Sequence, residues 1–261
     1  AAPARGGWWS RKKLLRHMAL GVYENHWTHP DECAGYGRAF GICQGASAWD
    51  RVWEAWRCSV VLPYVVGQDR PYQEISGFYP GPSFEEWRAR KTTLHYRNER
   101  FKVYFNGARP LRMKPLEFLD GFRKDIMVGD IVKYPIYMME IGQSRFCLAI
   151  RGDTPTTHKM FDAIRALCMP VIISDDWGRV GKPFPTLLDW DAFSVSIAEA
   201  TFLQNPKKAI ATLWLLPDWR LRRMFRALLA AREALDWRSP RTTAAEHTLA
   251  TARETCLPDD A

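Results

Sequence analysis

Residues 144–190 constrain the fold of this chain more than any other stretch. Arg145 to Ile150 is a short apolar run of strand-forming residues, closed by the turn-forming cluster Arg-Gly-Asp-Thr-Pro. Apolar residues then recur at helical spacing, at Met160, Phe161, Ile164 and Leu167. Met169 to Ile173 is a second apolar run, too short for a helix. Two strands joined by a helix form a βαβ crossover, so the sequence predicts a parallel sheet covered by helices on both faces.

The loop and the helix after the first strand carry residues suited to a ligand. In open α/β sheets, ligands bind beyond the carboxyl ends of the strands, where a helix N-terminus offers free backbone N–H groups and a partial positive charge. The residues at this position are Arg151, Gly152, Thr156, Thr157 and Lys159. Cations together with helix amides suit a diphosphate.

Three polar residues share one face of the same helix because they are three or four positions apart: His158, Asp162 and Arg165. A carboxylate one turn into the helix suits the diol of a ribose. A solvated helix face with ordinary caps accounts for the same residues, and the residue types alone favour that second interpretation.

The run FCLAIRGDTP…FDAI…CMPVIISD…PF…LDW…FSV resembles the signature block of the exostosin family, glycosyltransferase family 47. The family pattern is a Phe-Cys-Leu strand, a Gly-Asp-(Ser/Thr)-Pro loop, a helix with Asp-Ala or Glu-Ala, a Cys-Pro-Val-Ile strand and an acidic loop. The match is dense over residues 137–197 and thinner over 59–107 and 213–237. The resemblance implies a two-domain GT-B enzyme that transfers a sugar from a nucleotide donor with inversion and without an obligatory metal.

The resemblance also implies roles for individual residues. Asp162 would hold the ribose hydroxyls through charge-assisted hydrogen bonds. Lys159 stands where the family usually has arginine, so it would pair with phosphate without a bidentate fork. Arg151 and Gly152 would line the loop that faces the diphosphate or the sugar. The donor-binding set is completed by Thr156, Thr157 and His158, of which the threonines would donate hydroxyl groups to phosphate oxygens.

Two more positions in this donor-binding set each allow two interpretations. Gly107 follows a predicted strand over 101–105, and it would either let a diphosphate or acceptor approach the backbone or form a left-handed turn at the strand end. Asp175, with Asp176, closes the second strand, either near the base or sugar or as a cap of the next turn. No residue stands out as the general base. Ile150 and Leu167 depart from the family, which has proline and glycine there.

We therefore predict an α/β fold with a Rossmann-like parallel sheet and flanking helices, resembling the C-terminal half of a GT-B glycosyltransferase. The predicted function is transfer of a sugar from a nucleotide-sugar, most simply a UDP-sugar, to a glycan or glycoprotein acceptor, with no cofactor. The alternative is a truncated, non-catalytic relative that binds a glycan or a partner protein. An upstream anchor and first domain would favour the enzyme.

Composition shifts predict four segments. They are a remnant of an N-terminal domain over 1–66, a Pro- and Gly-rich linker over 67–100, the nucleotide-sugar-binding domain over 101–238 and a loose tail over 239–261. Further elements are predicted as strands over 58–66, 131–134 and 193–197 and helices over 117–126 and 205–233, the last interrupted at Pro217.

The charge and the hydropathy of the chain limit the classes of binding partner that it can have. Lys and Arg total 37 against 29 Asp and Glu, and this net charge of +8 suits an anionic ligand, but it is spread along the chain. No nucleic-acid recognition motif is present, so we expect no nucleic-acid partner. No apolar run approaches 18 residues, so no transmembrane helix is predicted. The family resemblance implies the lumenal side of the Golgi membrane, with attachment only through an N-terminal anchor outside this chain.

The six cysteines include no CxxC pair and give no zinc or redox signal. Cys147 and Cys168 are predicted to be small buried apolar residues, while Cys33 and Cys43 could pair in a lumenal protein. His26 and His29, in the run HWTHPDEC, match no zinc spacing. The sequence therefore predicts no metal site.

Overall fold

The computed structural model describes residues 61–63, 81–99, 108–152 and 155–256. Residues 61–247 form one compact unit. At its centre lies a five-stranded parallel sheet with the order β2-β1-β3-β4-β5. The strands are β1 Thr92–Arg97, β2 Ile126–Gly129, β3 Ser144–Ile150, β4 Met169–Ile173 and β5 Val195–Ser196. The predicted α/β fold with a parallel sheet is confirmed.

In the described part of the chain, one helix precedes β1, three lie between consecutive strands and four follow β5. They are α1 Phe84–Arg88, α2 Ala108–Phe118, α3 Tyr134–Gly142, α4 His158–Arg165, α5 Glu199–Gln204, α6 Pro206–Ala211, α7 Asp218–Leu235 and α8 Ala244–Cys256. A π-helix spans Trp177–Gly181, and 3₁₀ turns span Trp190–Ala192 and Thr212–Leu215. Within the described part of the chain, none of these helices combines the length and the hydropathy needed to cross a bilayer.

The order of the strands defines where a ligand would bind. The chain runs from β1 outward to β2 and then crosses to the other side of β1 to form β3, β4 and β5. The direction of winding therefore reverses between β1 and β3. In doubly wound sheets, a crevice opens at this switch point, beyond the carboxyl ends of the strands. Here those ends are Arg97 and Ile150.

The crossover β3–α4–β4 forms as its pattern predicts. All five residues of β4 are buried, and the apolar residues of α4, which include Met160, Phe161 and Ile164, lie in the core. Thr157 has extended backbone at φ −150° and precedes the first helical residue. The helix ends at Arg165, and Leu167, two residues further on, adopts φ +52° in the left-handed region that favours glycine. This explains why glycine is the family's usual residue at this position.

The structure differs from several predicted elements. The segment 67–100 was predicted as a linker, but it contains α1 and β1, and β1 pairs with both β2 and β3. The tail after residue 238 contains α8. The helix predicted over 117–126 lies earlier, as α2, and the strand predicted over 131–134 is β2 at 126–129. Residues 61–63 of the predicted strand 58–66 are in neither a helix nor a strand.

The composition of β1 explains why this strand was missed. β1 reads TTLHYR, and its polar residues are buried in the sheet, so neither alternation nor an apolar run marks it. Several predictions concern residues outside the described ranges. These are the strand over 101–105, Gly107, Cys33, Cys43 and the HWTHPDEC run. The predicted remnant over 1–66 and donor domain over 101–238 remain predictions.

The prediction for Cys147 and Cys168 is wrong in one respect. Both are buried, as expected, but they form a disulfide with their Cα atoms 5.7 Å apart. Cys147 lies in β3 opposite Pro170 of the adjacent β4, and Cys168 immediately precedes β4. Pairing of the strands therefore brings together two residues 21 positions apart in the sequence. The positions of the two cysteines in the sequence did not indicate that they would pair.

Candidate active site at the switch point

Lys159 lies at the switch point. It is the second residue of α4, and its ammonium group donates to the backbone carbonyl of Arg97 and, at 3.2 Å, to Oδ1 of Asn98. The same nitrogen lies 5.0 Å from the ring centroid of Tyr96. The first turn of α4 is thereby fixed against the carboxyl end of β1.

Arg112 brings a second cation to the same place from α2. Its Nε donates to the carbonyl of Arg151 at 2.8 Å, and its Nη2 donates to the carbonyl of Ile150 at 3.3 Å and lies 3.5 Å from Oγ1 of Thr157. The hydroxyl of Tyr96 donates to the Arg112 carbonyl at 3.0 Å. Tyr96 thus contacts the ammonium group of Lys159 and the backbone of Arg112, and the Arg112 side chain supports the loop that follows β3.

Gly152 lies directly against this guanidinium group. A Cβ built on Gly152 would be 2.7 Å from Nη2 of Arg112. A residue with a side chain at 152 would therefore displace Arg112. Gly152 is buried, as is Thr157, while Thr156 and Lys159 are half-buried. The structure brings together Arg151, Gly152, Thr157 and Lys159 of the predicted set.

Asp162 occupies a more enclosed place than the sequence suggested. It is 2% exposed, Oδ1 accepts a hydrogen bond from the hydroxyl of Tyr134 at 2.9 Å, and Oδ2 lies 3.1 Å from Nδ1 of His158. The His158 side chain is 45% exposed. Both carboxylate oxygens therefore have protein partners in this structure, and contact with a ribose remains a prediction.

Arg165, the third residue predicted on that helix face, belongs to the core. Its side chain is fully buried, and Nε donates to Oδ2 of Asp236 at 2.7 Å while Nη2 donates to Oδ1. The interpretation of this face as solvated is therefore wrong for Arg165. Its charge is matched by a carboxylate 71 residues away in the sequence.

A buried ion cluster lies behind the switch point. Glu140 of α3 accepts from Nε of Arg97 at 2.9 Å and from Nη2 at 2.7 Å, and it lies 2.9 Å from Nε2 of His95. Burial acts to raise the pKa of Glu140, but the hydrogen bonds from His95 and Arg97 outweigh it and lower this pKa to about 2. Burial lowers the pKa of His95, opposed by Glu140. The cluster fixes Arg97, whose carbonyl receives Lys159.

Burial also raises the pKa of Tyr137 well above its ordinary value, with Asp162 adding to the shift. The ring of Tyr137 lies 5.7 Å from that of His95 and 6.1 Å from that of Tyr134. These aromatic residues connect the Asp162 contacts to the Glu140 cluster. The phenol of Tyr137 stays protonated there at neutral pH.

Asp175 and Arg151 are connected through Glu199, which the sequence analysis missed. Oε1 of Glu199 accepts from Nε of Arg151 at 2.6 Å and from the backbone N–H of Asp175 at 3.1 Å. In return, Oδ1 of Asp175 accepts from the backbone N–H of Glu199, the first residue of α5, at 2.9 Å. Asp175 thus binds the start of α5, far along the chain from the turn that follows β4, and its two predicted roles stay predictions. Asp176 is exposed.

Two functional candidates, Arg112 and Glu199, were not predicted because they reach the site from other elements. Arg112 could have been found only if α2 had been predicted at 108–118, where it directs the residue toward β3. Across the described ranges, no group of His, Cys, Asp and Glu side chains is arranged to hold a metal ion.

The arrangement suits an anionic group such as a phosphate. Two cations, Lys159 and Arg112, meet at the start of α4, where no side chain caps the helix and the helix dipole adds positive potential. The Glu199 carboxylate offsets the third cation, Arg151.

Comparisons with known proteins find matches over this part of the chain. The exostosin GT47 domain matches residues 66–213, which include all five strands. A protein named probable arabinosyltransferase, from Arabidopsis thaliana, is 31% identical over 97 residues, 37% of this chain and 21% of that protein. An exostosin-1 homolog of Caenorhabditis elegans is 32% identical over 72 residues, 28% of this chain and 18% of that protein.

A protein named probable glucuronoxylan glucuronosyltransferase, also from Arabidopsis thaliana, is 35% identical over 63 residues. That stretch is 24% of this chain and 13% of the relative. The chain thus matches about a fifth, or less, of the length of these relatives.

Proposed function

Because this chain belongs to the exostosin GT47 family, we propose that it is the part of a glycosyltransferase that binds the nucleotide-sugar donor. The donor's diphosphate lies at the switch point between β1 and β3. The observation that carries this proposal is the convergence of Lys159 and Arg112 on the uncapped start of α4. The relatives named as sugar transferases support the reaction class.

Lys159 and Arg112 have a defined task in this reaction. The acceptor hydroxyl oxygen forms a bond to the anomeric carbon of the donor while the bond from that carbon to the diphosphate oxygen breaks. The departing diphosphate gains negative charge, which fixed cations and oriented backbone N–H groups stabilise without reorganising. The hydroxyl's proton passes to a general base, and no residue of the described part is assigned that role.

The finer features of the proposal are the donor nucleotide, the stereochemistry and the acceptor. The donor is a UDP-sugar, the anomeric centre is inverted, no metal ion is needed and the acceptor is a glycan or glycoprotein. The family resemblance supports all four. Asp162 is the residue proposed to receive the ribose, by exchanging the hydrogen bond of Tyr134 or His158 for the ribose hydroxyls.

The chain is proposed to work in the Golgi lumen. Disulfides persist in oxidising compartments of the secretory pathway and are rare in the cytosol. The buried Cys147–Cys168 disulfide therefore supports this location.

Calorimetric titration with UDP tests the proposal. Lys159→Ala should weaken UDP binding about tenfold, the effect of losing one charge-assisted hydrogen bond of ~1.4 kcal/mol. Lys159→Arg should retain or strengthen binding, since it restores the bidentate fork. Asp162→Ala should reduce the affinity for UDP more than the affinity for inorganic diphosphate, which has no ribose.

Lys208→Ala is the matched control, because Lys208 is an exposed lysine of α6. Equal heats from the wild type and the Lys159 and Asp162 variants would remove the site assignment. Absence of UDP binding by the wild type, with the fold intact by circular dichroism, would favour the non-catalytic binding module instead.

A further inference from the structure

A second surface with its own chemistry lies at the amino-terminal edge of the sheet. Large apolar side chains are exposed there: Leu215 is 79% exposed, Trp219 66% and Phe122 41%. Leu215 and Trp219 flank Pro217, between the 3₁₀ turn Thr212–Leu215 and α7. Large apolar side chains gathered on the surface of a soluble protein usually indicate a binding surface.

A cation lies over each aromatic ring of this surface. Lys207 Nζ is 4.8 Å from the ring centroid of Phe122, and the guanidinium carbon of Arg223 is 5.9 Å from that of Trp219. We use the name aromatic–basic strip for Phe122, Trp214, Leu215 and Trp219 together with Arg123, Lys207 and Arg223. Each of these rings thus has a cation beside it.

The middle of the strip is held rigidly. Arg123 lies 4.7 Å from the ring centroid of Trp214, and the indole N–H of Trp214 donates to Oδ2 of Asp125 at 2.8 Å. Asp125 also accepts from Oγ1 of Thr93 at 2.6 Å and from Nε of Arg123 at 2.9 Å. Burial acts to raise the pKa of Asp125, but these hydrogen bonds lower it to about 2. Ring and cation are thus fixed in place.

The strip is separate from the donor site. Thr93 lies at the start of β1, whereas the contacts of Lys159 lie at its end. A six-residue strand spans roughly 20 Å. A ligand on the strip therefore lies at the opposite edge of the sheet from the proposed diphosphate position.

We infer that the aromatic–basic strip binds an acidic glycan. Aromatic rings pack against the apolar C–H faces of sugar rings, and arginine and lysine pair with the carboxylates of uronic acid units. The pairing of a ring with a cation matches a polymer that presents both sugar faces and carboxylates. The inference rests on the proposed function for the kind of polymer, since a glycosyltransferase meets a glycan as acceptor and product.

A membrane surface fits the strip less well. Insertion of Phe122 or Trp219 into hydrocarbon would draw in the charged group that lies over its ring, and a charge in the bilayer is costly. A single-stranded nucleic acid also stacks on rings beside cations, but the disulfide indicates an oxidising compartment, where glycans are the available polyanions.

Affinity electrophoresis of the full chain tests the inference, with an oligogalacturonate and a size-matched neutral galacto-oligosaccharide as probes. The wild type should be retarded by the acidic probe and about tenfold less by the neutral one. Trp219→Ala combined with Arg223→Ala should weaken acidic binding about tenfold, the loss of one stacked ring and one cation at ~1.4 kcal/mol in total. A higher salt concentration should weaken acidic-probe binding more for the wild type than for the double variant.

The matched control is Met139→Ala combined with Arg241→Ala, which removes an exposed apolar residue and an exposed arginine outside the strip. It should leave acidic binding unchanged. Equal retardation of the strip variant and the control would overturn the inference, as would binding to anionic vesicles or a single-stranded oligonucleotide without binding to the acidic glycan. UDP calorimetry on the strip variant separates the two proposals, because donor binding should persist in it.

Discussion

The guanidinium group of Arg112 occupies the space that a side chain at residue 152 would need, since a Cβ on Gly152 would lie 2.7 Å from Nη2. This contact connects α2 to the loop after β3 and explains the glycine in the Gly-Asp-Thr-Pro run by close approach. It makes the loop and the cation a single unit, which leads to two predictions.

Gly152→Ala should displace the end of the Arg112 side chain and weaken UDP binding about threefold to tenfold, or ~0.7–1.4 kcal/mol. Its effect on stability should be small, because the clashing atom is the end of a flexible side chain. Calorimetry with UDP and urea unfolding measure the two effects. Gly178→Ala is the control, since a Cβ there meets nothing within 4 Å. Equal UDP affinities of Gly152→Ala and Gly178→Ala would show that the loop does not depend on the position of Arg112.

Arg112→Ala should reduce UDP affinity by about tenfold or more and also lower the free energy of unfolding, since the carbonyls of Ile150 and Arg151 lose their donor. Arg112→Lys should keep charge but lose the fork, so it should recover only part of the affinity. Titration with UDP and inorganic diphosphate measures this. Unchanged affinity in Arg112→Ala would limit Arg112 to a structural role.

Glu140→Gln should lower the free energy of unfolding at pH 7 by ~2–3 kcal/mol, because an uncharged amide cannot match Arg97 and His95. The folded-state pKa of Glu140 is about 2, below its ordinary 4.5. Its stabilisation is therefore present above pH 4.5 and is lost as the pH falls toward 2.

Urea unfolding of wild type and Glu140→Gln between pH 7 and pH 3 measures this difference. The two proteins should converge in stability as the medium becomes acidic. Glu117→Gln, a change at an exposed carboxylate of α2, should follow the wild type. A constant gap between wild type and Glu140→Gln at every pH would show that charge is not the cause.

Asp236→Ala should destabilise the protein by ~3–5 kcal/mol, because it leaves the fully buried Arg165 without its carboxylate. Replacing both residues, as Arg165→Met with Asp236→Leu, should cost less than the single change. The exposed pair of Arg88 and Asp218 provides the comparison, and Arg88→Ala should cost less than ~1 kcal/mol. Thermal unfolding of these three variants completes the comparison, and a double variant that costs as much as Asp236→Ala or more would refute the coupling.

Removing the disulfide, by Cys147→Ala with Cys168→Ala, should lower the free energy of unfolding by ~3 kcal/mol, the loss of a closed loop of this size. Either single change should cost nearly as much as the pair, since the bond is lost in both. Urea unfolding with and without a reductant measures this. If the reductant left the urea unfolding of the wild type unchanged, the disulfide would be contradicted.

The sequence predicted the crossover well because its strands are apolar runs and its helix has apolar residues at helical spacing. β4 was predicted with its observed bounds, Met169–Ile173, and Lys159 was placed in the first turn of the helix, where the structure has it. Gly152 was placed in the loop after the first strand, but its close contact with Arg112 was not predicted.

What the sequence could not predict depends on distant contacts. β1 is a central strand, yet its buried polar residues are satisfied by Glu140 and Asp125, so its pattern does not read as apolar. Arg165 looked like a surface residue because Asp236 lies 71 positions away. The disulfide and Glu199 are likewise products of strand order and not of spacing.

The bond between Cys147 and Cys168 makes the crossover a covalently closed ring, which includes Gly152, Thr157 and Lys159. A protease that nicked the loop at residues 153–154 would therefore leave two fragments joined as one species on a non-reducing gel. Only a reductant would separate them, so an assay of size under non-reducing conditions would not detect cleavage of this loop.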